Sequence, residues 1–289
     1  MPHVTARSAD LHQKGSLQPQ LTSTASTRVV YNRIGKAGSS FMISMLARLS
    51  KNNHFNLENH HNYFPTKDVL SQELRRLPNN TVYVNHADFF NSSEDLTWIN
   101  VVRDPIDRWQ SLHYYAVDPN LRGDKAKDAL NIRANDIRCG CALLEFDACI
   151  DLRYHNNCSM EVPSQIKQFC EPGERCSREL ATTRAFERYL VVGLTEELAL
   201  TTKLLEKMLP RMFHGATSLL SGLGHRATNL VNNLTHTSLN GAISTRSKAQ
   251  LAERSTNYME EKLFYDAIKR RFFGQSCEFG LLASISAPP

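Results

Sequence analysis

Two stretches of this chain constrain its fold more than anything else in it, and they share one plan. The first runs from Arg28 to Phe41, RVVYNRIGKAGSSF. Arg28 to Ile34 is predicted as a buried strand, because Val29, Val30 and Ile34 are β-branched and Tyr31 adds aromatic bulk. Gly35, Lys36, Ala37, Gly38, Ser39 and Ser40 then form a loop of small residues with one cation. From Phe41 the apolar positions Phe41, Ile43, Met45, Leu46 and Leu49 recur at helical spacing, so a helix begins near Gly38 or Ser39. Strand, small-residue loop with lysine, then helix is a cradle for phosphate. The backbone N–H groups of the helix start face the loop, and the positive end of the helix dipole favours an anion there.

The loop is not a Walker sequence, which needs Gly, four residues, then Gly-Lys-Ser/Thr. Here Lys36 precedes the second glycine. The one candidate carboxylate for a magnesium ion, Asp104, sits in Arg-Asp-Pro and reads as a helix cap. A phosphate loop without a magnesium site argues against nucleoside-triphosphate hydrolysis. Taken alone, the stretch is equally compatible with a glycine turn carrying a surface lysine.

The second stretch, Trp98 to Ser111, reads WINVVRDPIDRWQS. It is again a strand entering a helix, with Asp104 as N-cap and Pro105 in the first helical position. Arg103 falls at the carboxyl end of the strand and Ser111 two turns into the helix. Ligands of open parallel sheets bind at the carboxyl ends of the strands, where the Lys36 loop also ends. An arginine fork plus a hydroxyl suits a second phosphate of the same ligand.

YNRIGKAGSS and INVVRDPIDRWQS together resemble the two nucleotide-binding motifs of the glycosaminoglycan 2-O-sulfotransferases, the group with uronyl, heparan sulfate and insect Pipe members. The Gly-Lys-x-Gly-Ser form is more similar to the uronyl and Pipe branch. The resemblance extends from about Arg28 to Phe273, with YLVVGLTEEL and LPRMFHGATSL as further matches. It implies an α/β, P-loop-like sulfotransferase fold, a central parallel sheet flanked by helices, over residues 28–275. It also implies 3′-phosphoadenosine-5′-phosphosulfate as co-substrate, a glycosaminoglycan acceptor, and a type II anchor in the Golgi membrane with the domain in the Golgi lumen. NHADFF resembles the segment carrying the catalytic base; the heparan branch has two histidines there, and Val84 replaces the first, so only His86 carries over.

Elsewhere the chain is less explicit. Its 289 residues, 41% of them apolar, can bury a large core as one domain, and a net charge of +5 suits a polyanionic partner. Residues 1–27 are polar and read as a disordered stem, and residues 276–289 as a C-terminal tail. No segment reaches the length of a membrane span, and the N-terminus lacks the apolar core of a signal peptide. A short strand is expected over residues 52–58, and His60-His61 reads as a solvated loop, since nothing joins it at metal-ligand spacing. Arg188 to Leu194 is a core strand, followed by a helix with Thr195 as N-cap and Pro210 as its end. One last helix is expected over residues 246–273.

Six of the seven cysteines fall between Cys139 and Cys176. Zinc would want Cys-x2-Cys pairs, so disulfides are expected and no metal. The resemblance pairs Cys149 with Cys158 and Cys170 with Cys176, leaving Cys139, Cys141 and Cys277 unassigned. Sequons at Asn79, Asn91, Asn157 and Asn233 agree with a secretory compartment.

The reaction implied is sulfuryl transfer to the 2-hydroxyl of a uronic acid. His86 takes the hydroxyl proton, Lys36 stabilises charge on the leaving phosphate, and Arg103 with Ser111 grips the second phosphate. Arg33 faces the same pocket, toward donor or acceptor; Arg122, Arg133 and Arg138 are acceptor candidates by charge only. No nucleic-acid partner is expected, and a homo-oligomer is left open. The rivals are a P-loop kinase, which magnesium independence would exclude, and a non-catalytic glycosaminoglycan-binding relative that has kept the fold.

Overall fold

The computed structural model describes residues 28–60, 64–116, 134–220 and 243–282. Its centre is a five-stranded parallel sheet: β1 (Arg28–Asn32), β2 (Asn56–Asn59), β3 (Thr81–Asn85), β4 (Thr97–Val102) and β5 (Tyr189–Leu194), in the order β2-β3-β1-β4-β5. β1, β3, β4 and β5 are buried along nearly their whole length, which is why they read as continuous apolar runs and not as alternating ones. The chain leaves β1 toward β3 on one side and later returns to pair β4 on the other. The carboxyl end of β1 is therefore the topological switch point.

Helix α1 (Ser39–Asn53) begins where expected and buries Phe41, Met42, Met45, Leu46 and Leu49. It runs further than expected, so the second strand starts only at Asn56, after His54 ends the helix in a left-handed conformation. Several helices escaped the sequence reading, among them α2 (Lys67–Arg76) and, later in the chain, Phe146–His155 and Arg178–Glu187. The first and last of these carried a signal, a hydroxyl N-cap: Thr66 Oγ1 accepts the Val69 N–H and Ser177 Oγ the Leu180 N–H.

Helix α3 (Pro105–Ala116) is capped as expected, with Asp104 Oδ1 accepting the Ile106 N–H at 3.0 Å. After it come α4 (Phe146–His155), a 3-10 turn (Ile166–Phe169), and α5, the Arg178–Glu187 helix. Thr195 is not an N-cap. Its hydroxyl donates to the Val102 carbonyl at 3.0 Å, and a 3-10 turn (Thr195–Glu197) precedes α6 (Leu198–Met208). Gly193 is required where β5 passes α6, since a Cβ there would lie 2.2 Å from Thr201 Cγ2.

The single last helix is in fact two, α7 (Thr245–Arg254) and α8 (Tyr258–Glu278). Ser255 and Asn257 break it: the Ser255 hydroxyl accepts the Tyr258 N–H and donates to Asn257 Oδ1, so side chains replace the helical backbone bonds. The boundary expected at residue 275 falls inside α8. Among the described residues no helix is long and apolar enough to cross a membrane.

The cysteine region corrects one expected pairing. Cys170 bonds Cys176, but Cys149 bonds Cys141, and Cys158 bonds Cys139. The reason is α4. Cys149 sits in its first turn, where it meets Cys141, while Cys158 follows the end of the helix at His155 and meets Cys139. Asn79, Asn91 and Asn157 are exposed, while Asn233 lies outside the described residues, as do residues 1–27, His61, Arg122 and Arg133.

Candidate active site

The switch point brings three strand ends together. β1 and β3 pair in register with Asn32 opposite Asn85, so Arg33 and His86 leave the sheet side by side. The Arg33 N–H still bonds the Asn85 carbonyl at 2.9 Å. On the other flank β4 pairs with β1, and Arg103 follows its last residue, Val102. The Lys36 loop rises between them.

That loop is held from outside at three carbonyls. The Arg33 carbonyl accepts a hydrogen bond from His86 Nδ1 at 3.0 Å. The Gly35 carbonyl accepts Arg108 Nε at 2.8 Å, and the Lys36 carbonyl accepts Arg103 Nη1 at 3.3 Å. Lys36 itself has a φ of 63°, unusual for a residue with a side chain, and the Arg103 contact helps maintain it. Gly38 follows with a φ of 75° as N-cap of α1, where a Cβ would stand 3.3 Å from Leu198 Cδ2. Ala37 is fully buried, Ser39 half-buried and Ser40 exposed, so the loop presents its backbone and the Lys36 side chain more than its hydroxyls. Lys36 Nζ lies 4.6 Å from the centre of the Tyr115 ring.

His86 is nearly buried, and its tautomer follows from its partner. A carbonyl can only accept, so Nδ1 carries the proton, and in the neutral form of the ring the lone pair is on Nε2. That is the state a general base requires. The ring packs over Gly35, where a Cβ would make ordinary van der Waals contact with His86 Cε1 at 3.8 Å.

Three buried arginines, Arg33, Arg103 and Arg108, surround the loop. Burial pushes the Arg103 guanidinium down, against Glu196, Asp107 and Asp104, and pushes Arg108 down to about 10, against Glu261. Both remain cations at neutral pH. Asp104, Arg108 and Ser111 share one face of α3 at spacings of four and three residues, so the fully buried Ser111 lies on the face that reaches the loop. Asp104 is used up as a cap, its Oδ1 accepting the Ile106 and Asp107 N–H groups.

Behind this front stand residues that the sequence reading did not single out. The fully buried Gln165 takes both backbone groups of Arg103, accepting its N–H at 3.0 Å and donating to its carbonyl at 2.7 Å. Glu261 of α8 accepts the Gln165 N–H at 2.9 Å and the Ser164 hydroxyl at 2.5 Å; burial raises its pKa. Glu196, also raised by burial, accepts the Asp104 N–H and the Tyr265 hydroxyl. No spacing rule points to these groups, because each lies 60 or more residues from its partner. Asp88, two residues past His86, is pushed up to about 6 by burial, with Lys167 opposing. His113, Asp136 and Cys149 come within metal-ligand distances, yet Cys149 is in a disulfide and Asp136 binds Arg153. Arg138 is exposed and bonds Asn135, one turn back along the chain.

A profile described as the sulfotransferase family matches residues 19–212. Human uronyl 2-sulfotransferase is 28% identical over 279 residues, covering 91% of this chain and 66% of that protein. A heparin sulfate O-sulfotransferase of Drosophila melanogaster is 30% identical, covering 65% of this chain and 57% of its own length. Chicken heparan sulfate 2-O-sulfotransferase 1 is 29% identical, with 66% and 57% covered. The chain thus spans about two thirds or less of the length of these curated relatives.

Proposed function

This chain belongs to the sulfotransferase family, and on that premise we propose that it transfers a sulfuryl group from 3′-phosphoadenosine-5′-phosphosulfate to the 2-hydroxyl of a uronic acid in a glycosaminoglycan. One observation carries the proposal. His86, with Nδ1–H committed to the Arg33 carbonyl, offers Nε2 as a base beside a lysine loop at the sheet's switch point. The co-substrate supplies an activated sulfuryl group whose leaving group is a phosphate. The small-residue loop with its left-handed Gly38, and the buried cations around it, fit such an anion.

The chain's own residues divide the work. His86 Nε2 accepts the proton of the attacking hydroxyl, and the Arg33 carbonyl stabilises the imidazolium that results. Lys36 and the loop amides stabilise charge as it gathers on the leaving oxygen. Arg103, braced by Gln165, and Ser111 bind the second phosphate and so fix the donor's direction. Arg33 stands between this pocket and the acceptor side. The disulfides and the exposed sequon asparagines support a secretory setting, the Golgi lumen for a glycosaminoglycan acceptor.

The test is transfer of radiolabelled sulfate to a panel of desulfated polysaccharides, by the wild type and by folded His86→Ala. Transfer to uronic-acid 2-hydroxyls that the variant loses supports the reading. A wild type that labels no member of the panel, with donor present and protein folded, overturns it.

A further inference from the structure

Arg108 does something that neither motif requires. It is a buried cation on α3, and its bonds join two segments distant in sequence: Nε to the Gly35 carbonyl at 2.8 Å and Nη1 to the Pro163 carbonyl at 2.7 Å. Glu261 favours the charged form of Arg108, yet burying a guanidinium bonded to two carbonyls is still unfavourable compared with an apolar side chain of similar size. Its helix neighbours Ile106 and Trp109 show that apolar residues pack well on α3. Arginine does offer a rigid fork with donors in fixed directions, able to hold two carbonyls at once.

The consequence falls on one peptide group. The described residues contain no cis peptide bond, so the Gly35 carbonyl and the Lys36 N–H point in opposite directions. While Arg108 holds that carbonyl toward α3, the Lys36 amide faces away from α3. The Pro163 end of the fork is itself anchored, because the next residues, Ser164 to Ile166, are bound by Glu261. Gln165 of that same segment clamps the Arg103 backbone.

We propose that Arg108 is a positioning residue for the donor's 5′ phosphate group: it fixes the Gly35–Lys36 peptide so that the Lys36 amide, with the Lys36 side chain, meets that phosphate. This rests on the sulfuryl-donor reading above. It adds that recognition of the 5′ end depends on a side chain which does not touch the donor.

The test compares two ligands that differ only at the 5′ end, adenosine 3′,5′-bisphosphate and adenosine 3′-monophosphate, by calorimetry on wild type, Arg108→Gln and Arg108→Lys. The wild type prefers the bisphosphate. In folded Arg108→Gln that preference falls about tenfold, the worth of one hydrogen bond to a charged group, while monophosphate affinity stays within about twofold. Arg108→Lys, able to hold one carbonyl but not both, falls between. Equal losses on both ligands reduce Arg108 to a structural tie and overturn the inference while leaving the donor reading intact. A wild type that binds neither ligand overturns the donor reading itself. A wild type that binds both equally overturns the inference alone. Should the variants not fold, hydrogen exchange on the wild type decides: the Lys36 amide is protected by the bisphosphate and not by the monophosphate, and the absence of that difference overturns the inference.

Discussion

The sheet with its two motifs and the cysteine-rich region solve the same problem by different means. The described residues between 28 and 116 are ordered by parallel strands whose backbone bonds fix their register, and the proposed site sits where those strands stop. Residues 134–176 contain no strand; three disulfides and a buried ion cluster hold them. Even their carboxylates behave oppositely. Burial would raise Asp136, but bonds to His113 and Arg153 outweigh it and hold the carboxyl below its usual range. Asp88, just past the carboxyl end of β3, has only Lys167 against its burial and ends up at about 6. The lesson is that the site region tolerates unfavourable charge that the supporting region has paired away.

The largest expected effect lies in the sheet region. His86→Ala loses about 10²–10⁴-fold in transfer rate, the usual worth of a positioned general base. Adenosine 3′,5′-bisphosphate still binds, since the imidazole holds neither phosphate. Loss of donor binding together with rate in folded His86→Ala would instead make the histidine structural.

Next comes the cysteine region, where the effect is on stability. Replacing both Cys141 and Cys149 with serine lowers unfolding free energy by roughly 2–4 kcal/mol, because an open loop frees the unfolded chain. Donor affinity of the folded variant is unchanged. Peptide mapping of non-reduced protein finds Cys139–Cys158, Cys141–Cys149 and Cys170–Cys176; recovery of a Cys149–Cys158 peptide would contradict these pairings.

Lys36→Ala and Arg103→Ala each weaken adenosine 3′,5′-bisphosphate binding by about 1.5–3 kcal/mol, the loss of one contact to a charged group. Unchanged calorimetric affinity in both removes the donor assignment.

The smallest effect sharpens the contrast between the two carboxylates. Asp88 has a folded-state pKa raised by burial, so folding favours its protonated form. Its destabilising effect is absent below the unfolded pKa, near 4, and grows as pH rises toward 6. Asp88→Asn therefore stabilises the protein at neutral pH by about 1 kcal/mol, after allowance for solvent screening at a half-buried group. Asp136 has the reverse sign, its contribution being lost as pH falls. Denaturant melts at pH 4 and pH 7 that show no gain for Asp88→Asn at the higher pH would refute this.

Much of the sheet region was legible in the residues. A buried parallel strand announces itself by β-branched runs, a helix start by Asp-Pro, a phosphate loop by small residues with a cation, and all of these are local. Lys36, His86 and Arg103 could be singled out as candidates because each sits at the end of such a run, next in sequence to the feature that places it. The helices at Lys67 and Arg178 were legible too, through Thr66 and Ser177, but short amphipathic segments among polar residues give a weak period.

What the sequence by itself determined is thus the set of local elements and the residues at their ends, since propensity, capping and periodicity act over a few residues. Only the tertiary structure decided which distant groups meet. Cys149, in the first turn of α4, met Cys141, and Cys158, past the end of that helix, met Cys139. Arg108 found Gly35 and Pro163, 73 and 55 residues away, because the order of strands carries those segments past α3. Contacts across such separations depend on the path of the whole backbone, and no local pattern of residues encodes that path.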